Sequence, residues 1–161
     1  MMRRREFITL LGGLICSSDT VYAQRVAQVA VLIATRQNFF AKVLQTSLRE
    51  LGWTDGYNIR FDIRSANGDI DQIKSLAKEL VRLHPDVIVA HSGAAVRALR
   101  EETDTTPIVF FQVADPLGAK FINSLARPGG NMTGFSNFEP SMGIVPLDVE
   151  IGEAALLALS R

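Results

Sequence analysis

The hydrophobic pattern changes period repeatedly along this chain. Residues 26–33 (VAQVAVLI) form a near-continuous, valine-rich apolar run, which predicts a strand covered on both faces. From Phe39 to Leu51 the apolar positions 39, 40, 43, 44, 48 and 51 follow a helical period, and Gly52 stands where a helix commonly ends. Tyr57 to Arg64 (YNIRFDIR) alternates, predicting a strand with one wetter face, at or near a sheet edge. Asp69 or Asp71 can cap a second helix through Leu83, with Ile73, Leu76, Ala77, Leu80 and Val81 turned inward, and Pro85 stops it. Asp86 to Ala90 (DVIVA) is a short apolar strand, and Ser92-Gly93 opens a third helix running to about Thr103. Pro107 to Phe111 (PIVFF) predicts a fourth strand, Pro116 to Ala126 a fourth helix, Pro128-Gly129-Gly130 a tight turn and Asn131 to Phe135 (NMTGF) a fifth strand. Five strands alternating with helices imply an α/β fold with a doubly wound parallel sheet, because parallel neighbours need crossover connections. From about Ser141 the pattern fades into IVPLDVEIGEAALLALSR, with a short helix expected at Glu153 to Leu159.

The N-terminus follows a different logic. Arg3, Arg4 and Arg5 precede an apolar stretch, FITLLGGLIC, that is shorter than the ~20 residues of a membrane span. Val21-Tyr22-Ala23 supplies a small-x-small cleavage pattern, so residues 1–23 are expected to be an export signal cut after Ala23. Arg4-Arg5-Glu6-Phe7-Ile8 also resembles a twin-arginine signal. Cys16 raises a lipoprotein reading, against which Ile15 is bulky for the position before an acylated cysteine.

Composition narrows the chemistry. Three basic and two acidic residues leave with the signal, from 17 of each, so the remaining chain is near neutral and carries no basic patch for nucleic acid or a membrane surface. The only cysteine leaves too, excluding disulfides and thiolate metal sites, and His84 and His91 are too few and too separated for a zinc site. No GxGxxG follows the first strand, and GxxxxGK[ST], GxSxG and HExxH are absent. Carboxylates do not cluster across the strand ends, so acid–base catalysis has no candidate pair. No cofactor is called for, and the pattern favours a protein that holds a small molecule over an enzyme that transforms one.

In open parallel sheets ligands bind beyond the carboxyl ends of the strands. Four segments arrive there: Thr35-Arg36-Gln37-Asn38-Phe39, His91-Ser92-Gly93-Ala94-Ala95, Gln112-Val113-Ala114-Asp115-Pro116 and Ser136-Asn137-Phe138. Ser92, Gly93 and Ala94 place small residues at a helix start, where free N–H groups and the helix dipole suit an anion such as a carboxylate. An ordinary serine cap, with Gly93 and Ala94 packed on the sheet, reads equally well. Asp115 either binds a ligand amine or caps the fourth helix. Phe39 or Phe40 can stack on a ligand, one of them being expected in the core. His91 reads either as polar pocket lining or as a solvated loop residue, and Trp53 as a packed helix-end residue.

RRREFITLLGG, LRELGWTDGYNI, DVIVA with SGAAVRAL, TTPIVFFQVADPLG and SLARPGGNMTGFSNFEPSMG together resemble the tryptophan/phenylalanine-type substrate-binding proteins of ABC transporters, which have the type I periplasmic-binding fold. The Pro-Gly-Gly-Asn-x-Thr-Gly string is the most specific part, and the likeness covers nearly all of residues 1–143. It implies a periplasmic, two-lobed, non-enzymatic protein that closes on an amino acid or similar solute and delivers it to a membrane permease. Carried over by position, the first-lobe contacts are Ser92, Gly93, Ala94, Asp115 and Ser136. Family members are about twice as long. The expectation is therefore an N-terminal lobe over residues 24–140, a divergent tail over 141–161 and a missing second lobe, with truncation and loss of function as its consequence. Two other readings, a flavodoxin-like enzyme or signalling domain and the sensing lobe of a repressor, lack their marks: no acidic cluster ends the first strand, and no DNA-binding headpiece is present.

Overall fold

The computed structural model describes residues 25–136, apart from 37, 38 and 125. The expected export signal with Cys16, the loop residues Asn137 and Phe138, and the tail with its short helix lie outside the described residues. Among those described, no helix is long and apolar enough to cross a membrane, and no group of three or more His, Cys, Asp or Glu is placed to hold a metal ion.

The elements run β1 (Ala27–Ile33), α1 (Phe39–Glu50), β2 (Ile59–Ser65), α2 (Ile70–Arg82), β3 (Val87–His91), α3 (Gly93–Glu102), β4 (Ile108–Val113) and β5 (Met132–Ser136). All five strands are parallel and lie in the order β2-β1-β3-β4-β5, the flavodoxin-like arrangement. β1 sits between β2 and β3, and seven of its residues pair with β2 while five pair with β3. Its near-continuous apolar run, broken only by the exposed Gln28, follows from helices covering both faces of the sheet. Alternate residues divide between two cores. Val29, Val31, Ile33, Val87, Val89, Val109 and Phe111 pack under Phe40, Ala41, Leu44 and Leu48 of α1. Ala30, Leu32, Ile88, Ala90, Ile108 and Phe110 pack under Ile73, Ala77 and Leu80 of α2 and Ala95, Val96 and Leu99 of α3. β2 is an edge strand, as its alternation predicts, and its Arg60, Asp62 and Arg64 discourage edge-to-edge pairing with another chain.

Local chemistry sets the element ends. Gly52 adopts φ 90° after α1, with its N–H on Arg49 O at 3.0 Å and the Trp53 N–H on Leu48 O at 2.9 Å. Asp69, rather than Asp71, caps α2: its Oδ1 accepts from Asp71 N at 2.9 Å and Gln72 N at 3.0 Å. The Asn131 Nδ2 donates to Thr106 O at 2.8 Å while the Asn131 carbonyl accepts from Ile108 N at 2.8 Å, which fixes the start of β5 beside β4.

One expected element is absent. Residues 116–120 form turns, not the first part of a helix. The Asp115 Oδ1 takes the Gly118 N–H at 2.7 Å, Lys120 turns into positive φ at 55°, and the Asn123 N–H goes to Pro128 O at 2.9 Å. The left-handed residue ends the turn, and the Asn123 N–H is committed to Pro128 O instead of a helical acceptor.

Candidate functional site

The order β2-β1-β3 means that the chain leaves β1 in one direction and, after β2, returns to the other side of β1. The crevice beyond the carboxyl ends of β1 and β3 is the switch point where such sheets bind ligands. Among the described residues, three buried side-chain polar atoms have no hydrogen-bond partner, and all three stand at these two strand ends: Thr35 Oγ1 after β1, His91 Nδ1 at the last residue of β3, and Ser92 Oγ just beyond it. An unpartnered buried polar atom costs about 1–3 kcal/mol, so three at one edge make this the candidate site among the described residues. The loop that carries Thr35 is held by Ser65, whose Oγ donates to Thr35 O at 3.0 Å.

Ser92 occupies the N-cap position of α3 without capping it. Its backbone lies at φ 86°, ψ 157°, a region open almost only to glycine, and its side chain makes no cap hydrogen bond. The Ser92 N–H is tied to Phe111 O at 3.1 Å, and the Ser92 carbonyl accepts from Val96 N at 3.2 Å. A Cβ built on Gly93 would meet nothing within 4 Å, and Ala94 is exposed. The helix start therefore opens on free space instead of packing on the sheet, and α3 has no acidic residue in its first turn to satisfy its N–H groups.

Beneath this edge lies an aromatic floor. His91 is only 2% exposed, which removes the solvated-loop reading. The alternation that puts Val87 and Val89 on the α1 side carries His91 there too. Its ring meets Phe111 edge-on at 5.0 Å and Phe40 at 5.6 Å, and Phe40 stacks on Phe111 at 3.6 Å. Phe40 is thus the core phenylalanine, while Phe39 is 77% exposed. Trp53 packs against the same core. Burial holds the His91 imidazole below the ordinary histidine value of 6.5, and the Gln112 side chain beside it pulls partway back. Gln112 itself has φ 54° and sits where the β4–β5 register shifts between Phe110 and Val113, a bulge that re-aims the end of β4.

The buried imidazole makes stability depend on pH. An unfolded chain takes up a proton at His91 near pH 6.5, whereas the folded chain resists it. Stability contributed by neutral His91 is therefore present above pH 6.5 and expected to decline as the pH falls below it. Urea unfolding of the protein and of His91→Gln across that range checks this: the variant should show a smaller decline, and parallel curves would assign the decline to other groups.

The rim is more solvated. Asp115 is exposed and its Oδ1 is engaged with Gly118 N, so it caps the turn that replaces the expected helix. Ser136 is half-buried at the end of β5, with its Oγ on Ala114 O at 3.3 Å. The structure thus brings Ser92, Gly93 and Ala94 to the switch point and leaves Asp115 and Ser136 together one strand further out. Thr35, Phe111 and Gln112 join the first group. Two shallow recesses lie elsewhere, one lined by Val26, Gln28, Asp55, Gly56, Arg60 and Phe61, the other including Arg100, Asp104, Lys120 and Asn131.

Comparison with known proteins agrees with the fold. Residues 25–147 match the family described as ABC transporter substrate binding protein. A tyrosine-binding protein of Clostridioides difficile (strain R20291) is 35% identical over 92 residues, which are 57% of this chain and 27% of that protein. A conserved domain protein from Vibrio cholerae O1 biovar eltor superimposes with a TM-score of 0.68 at 34% identity, over 72% of this chain and 40% of that one. An ABC domain in complex with L-Trp from Streptococcus pneumonia does so with a TM-score of 0.64 at 29% identity, over 69% of this chain and 38% of that one. The chain spans less than half the length of each of these relatives. The family that residues 25–147 match is one of substrate-binding proteins. With a periplasmic-binding lobe in place and its strand-end crevice at the switch point, the chain belongs to the ABC transporter substrate-binding protein family.

Proposed function

We propose that this chain is the solute-binding component of an ABC uptake transporter, and that residues 24–140 form a lobe holding one side of an amino-acid site at the carboxyl ends of β1 and β3. Ser92, Gly93 and Ala94 receive the ligand carboxylate at the start of α3, and Asp115 and Ser136 form the outer rim, Asp115 facing the amine. Residues 1–23 direct export, so the site works in the periplasm, and the loaded protein hands its solute to a membrane permease. The observation that carries the reading is the trio of unpartnered buried atoms on Thr35, His91 and Ser92. The tyrosine-binding relative and the neighbour in complex with L-Trp point to amino acids with aromatic side chains.

The direct test is the thermal stability of the purified protein with and without amino acids. A ligand that binds the folded state alone raises Tm, by an amount equivalent to about 2.7 kcal/mol at a hundred times its Kd. A shift confined to aromatic amino acids supports the reading. A cooperative melt unmoved by any amino acid counts against it.

Ser92→Gly separates the cost of the site from its use. Glycine adopts the Ser92 backbone without strain and removes an unpartnered hydroxyl, gains of roughly 1–3 kcal/mol each, against an entropic cost of about 0.5–1 kcal/mol. The variant is expected to be more stable by about 1 kcal/mol or more and to bind more weakly. A higher Tm with unchanged affinity would remove the hydroxyl from the site.

A further inference from the structure

Among the described residues, His91 is the one titratable side chain buried at the crevice, and the proposed function leaves its chemistry unused. Its ring packs beside the stacked Phe40–Phe111 pair, edge-on to Phe111, its Nδ1 has no partner, and the residue is 2% exposed. Resting on the reading above, we propose that His91 couples solute binding to proton uptake: a carboxylate held at the start of α3 draws a proton onto the imidazole beneath it.

The argument is electrostatic. In the free protein several features oppose a positive charge on His91. The ring is out of water and packs against Phe40, the second residue of α1, so the positive start of that helix stands beside it, while α3 begins at Gly93, two residues along the chain. β1, β3 and β4 contribute no titratable side chain other than His91 itself. On the other elements at this edge, Arg36 before α1, Lys42 on α1 and Arg97 on α3 are exposed cations, and Asp115 after β4 is an exposed anion already engaged by Gly118 N. Among the described residues, nothing buried therefore offers the imidazolium a counter-charge. A carboxylate at Ser92 and Gly93 supplies one, in a setting where the low local polarity strengthens the attraction.

By linkage, a proton taken up on binding makes affinity rise as pH falls, by at most tenfold per pH unit for one proton. The coupling is confined to the range between the free and the loaded titration points of His91. A solute with the same side chain but no carboxylate gains nothing from the proton.

The experiment follows both histidine rings by NMR through a pH titration of the purified protein, prepared without a histidine tag. L-Tryptophan is the probe and tryptamine, which lacks its carboxylate, the control. The exposed His84, at the far end of α2, supplies the comparison signal. The expected result is that L-tryptophan moves the amide signals of Ser92 and Gly93 and raises the His91 titration point while leaving His84 in place. Tryptamine should leave His91 unmoved, and His91→Gln should flatten the pH dependence of L-tryptophan affinity. Amide signals that respond to L-tryptophan while His91 titrates as before would overturn the coupling and keep the binding site. Amide signals that respond to neither compound would overturn the coupling and the amino-acid reading together.

Discussion

Truncating Phe111 to alanine is expected to destabilise the protein by about 3–5 kcal/mol. The ring is 1% exposed and belongs to the core under α1. It stacks on Phe40 at 3.6 Å and supports the edge of His91 at 5.0 Å, so the cavity left behind cannot close without moving α1 or the end of β3. The same change loosens the floor of the crevice, and the loss should therefore appear in binding as well as in denaturant midpoint. Phe111→Leu keeps most of the volume and is expected to recover more than half of the stability while leaving His91 without its edge contact. Equal stability of the alanine variant and the parent would show that the aromatic floor is not packed as described.

The second large effect is expected at Gly134. A side chain there would run into the carbonyl oxygen of Phe110 on the neighbouring strand, and backbone cannot yield as a flexible side chain does. Gly134→Ala should push β5 off β4 and cost at least about 3 kcal/mol, or roughly 10–15 °C in Tm. Gly130→Ala is the matched control within the same PGGNMTG string. A Cβ at Gly130 meets nothing within 4 Å, so its stability should stay within about 0.5 kcal/mol of the parent. Similar melting for both variants would mean that the register of β5 is set without Gly134.

These two positions also show which features are readable in a sequence. Strand and helix periods located all five strands and three helices, because β1 and β3 are covered on both faces and α1 to α3 each bury one stripe. The helix expected over 116–126 misled because Pro116 suits a helix start and Leu117, Phe121 and Ile122 mimic a helical stripe. What decides against it is the positive φ of Lys120 and the loop-closing bond from Asn123 N to Pro128 O, neither of which the apolar pattern reports. In the crevice, the position of residues 92–94 follows from the order of strands and helices. The burial of His91 was within reach too, since it continues the alternation of Val87 and Val89 by one more step. The unpartnered state of Ser92 was not, because a serine before Gly-Ala-Ala reads as a cap, and only its strained backbone turns the hydroxyl away from that duty.

The position of β1 inside the sheet, between β2 and β3, has a kinetic consequence. Each neighbouring pair is parallel, so no hairpin can seed the sheet, and the contacts that seat β1 against the β3 side bridge far-separated residues, as in the bond from Gln28 N to Asp86. Folding dominated by such distant closures falls toward the millisecond-to-second range rather than microseconds. During that interval the apolar β1 segment waits for its distant partners, and a second molecule in the same state offers it the same edges. Recovery from denaturant is accordingly a race between one chain completing its crossovers and two chains meeting, and its yield should fall as protein concentration rises.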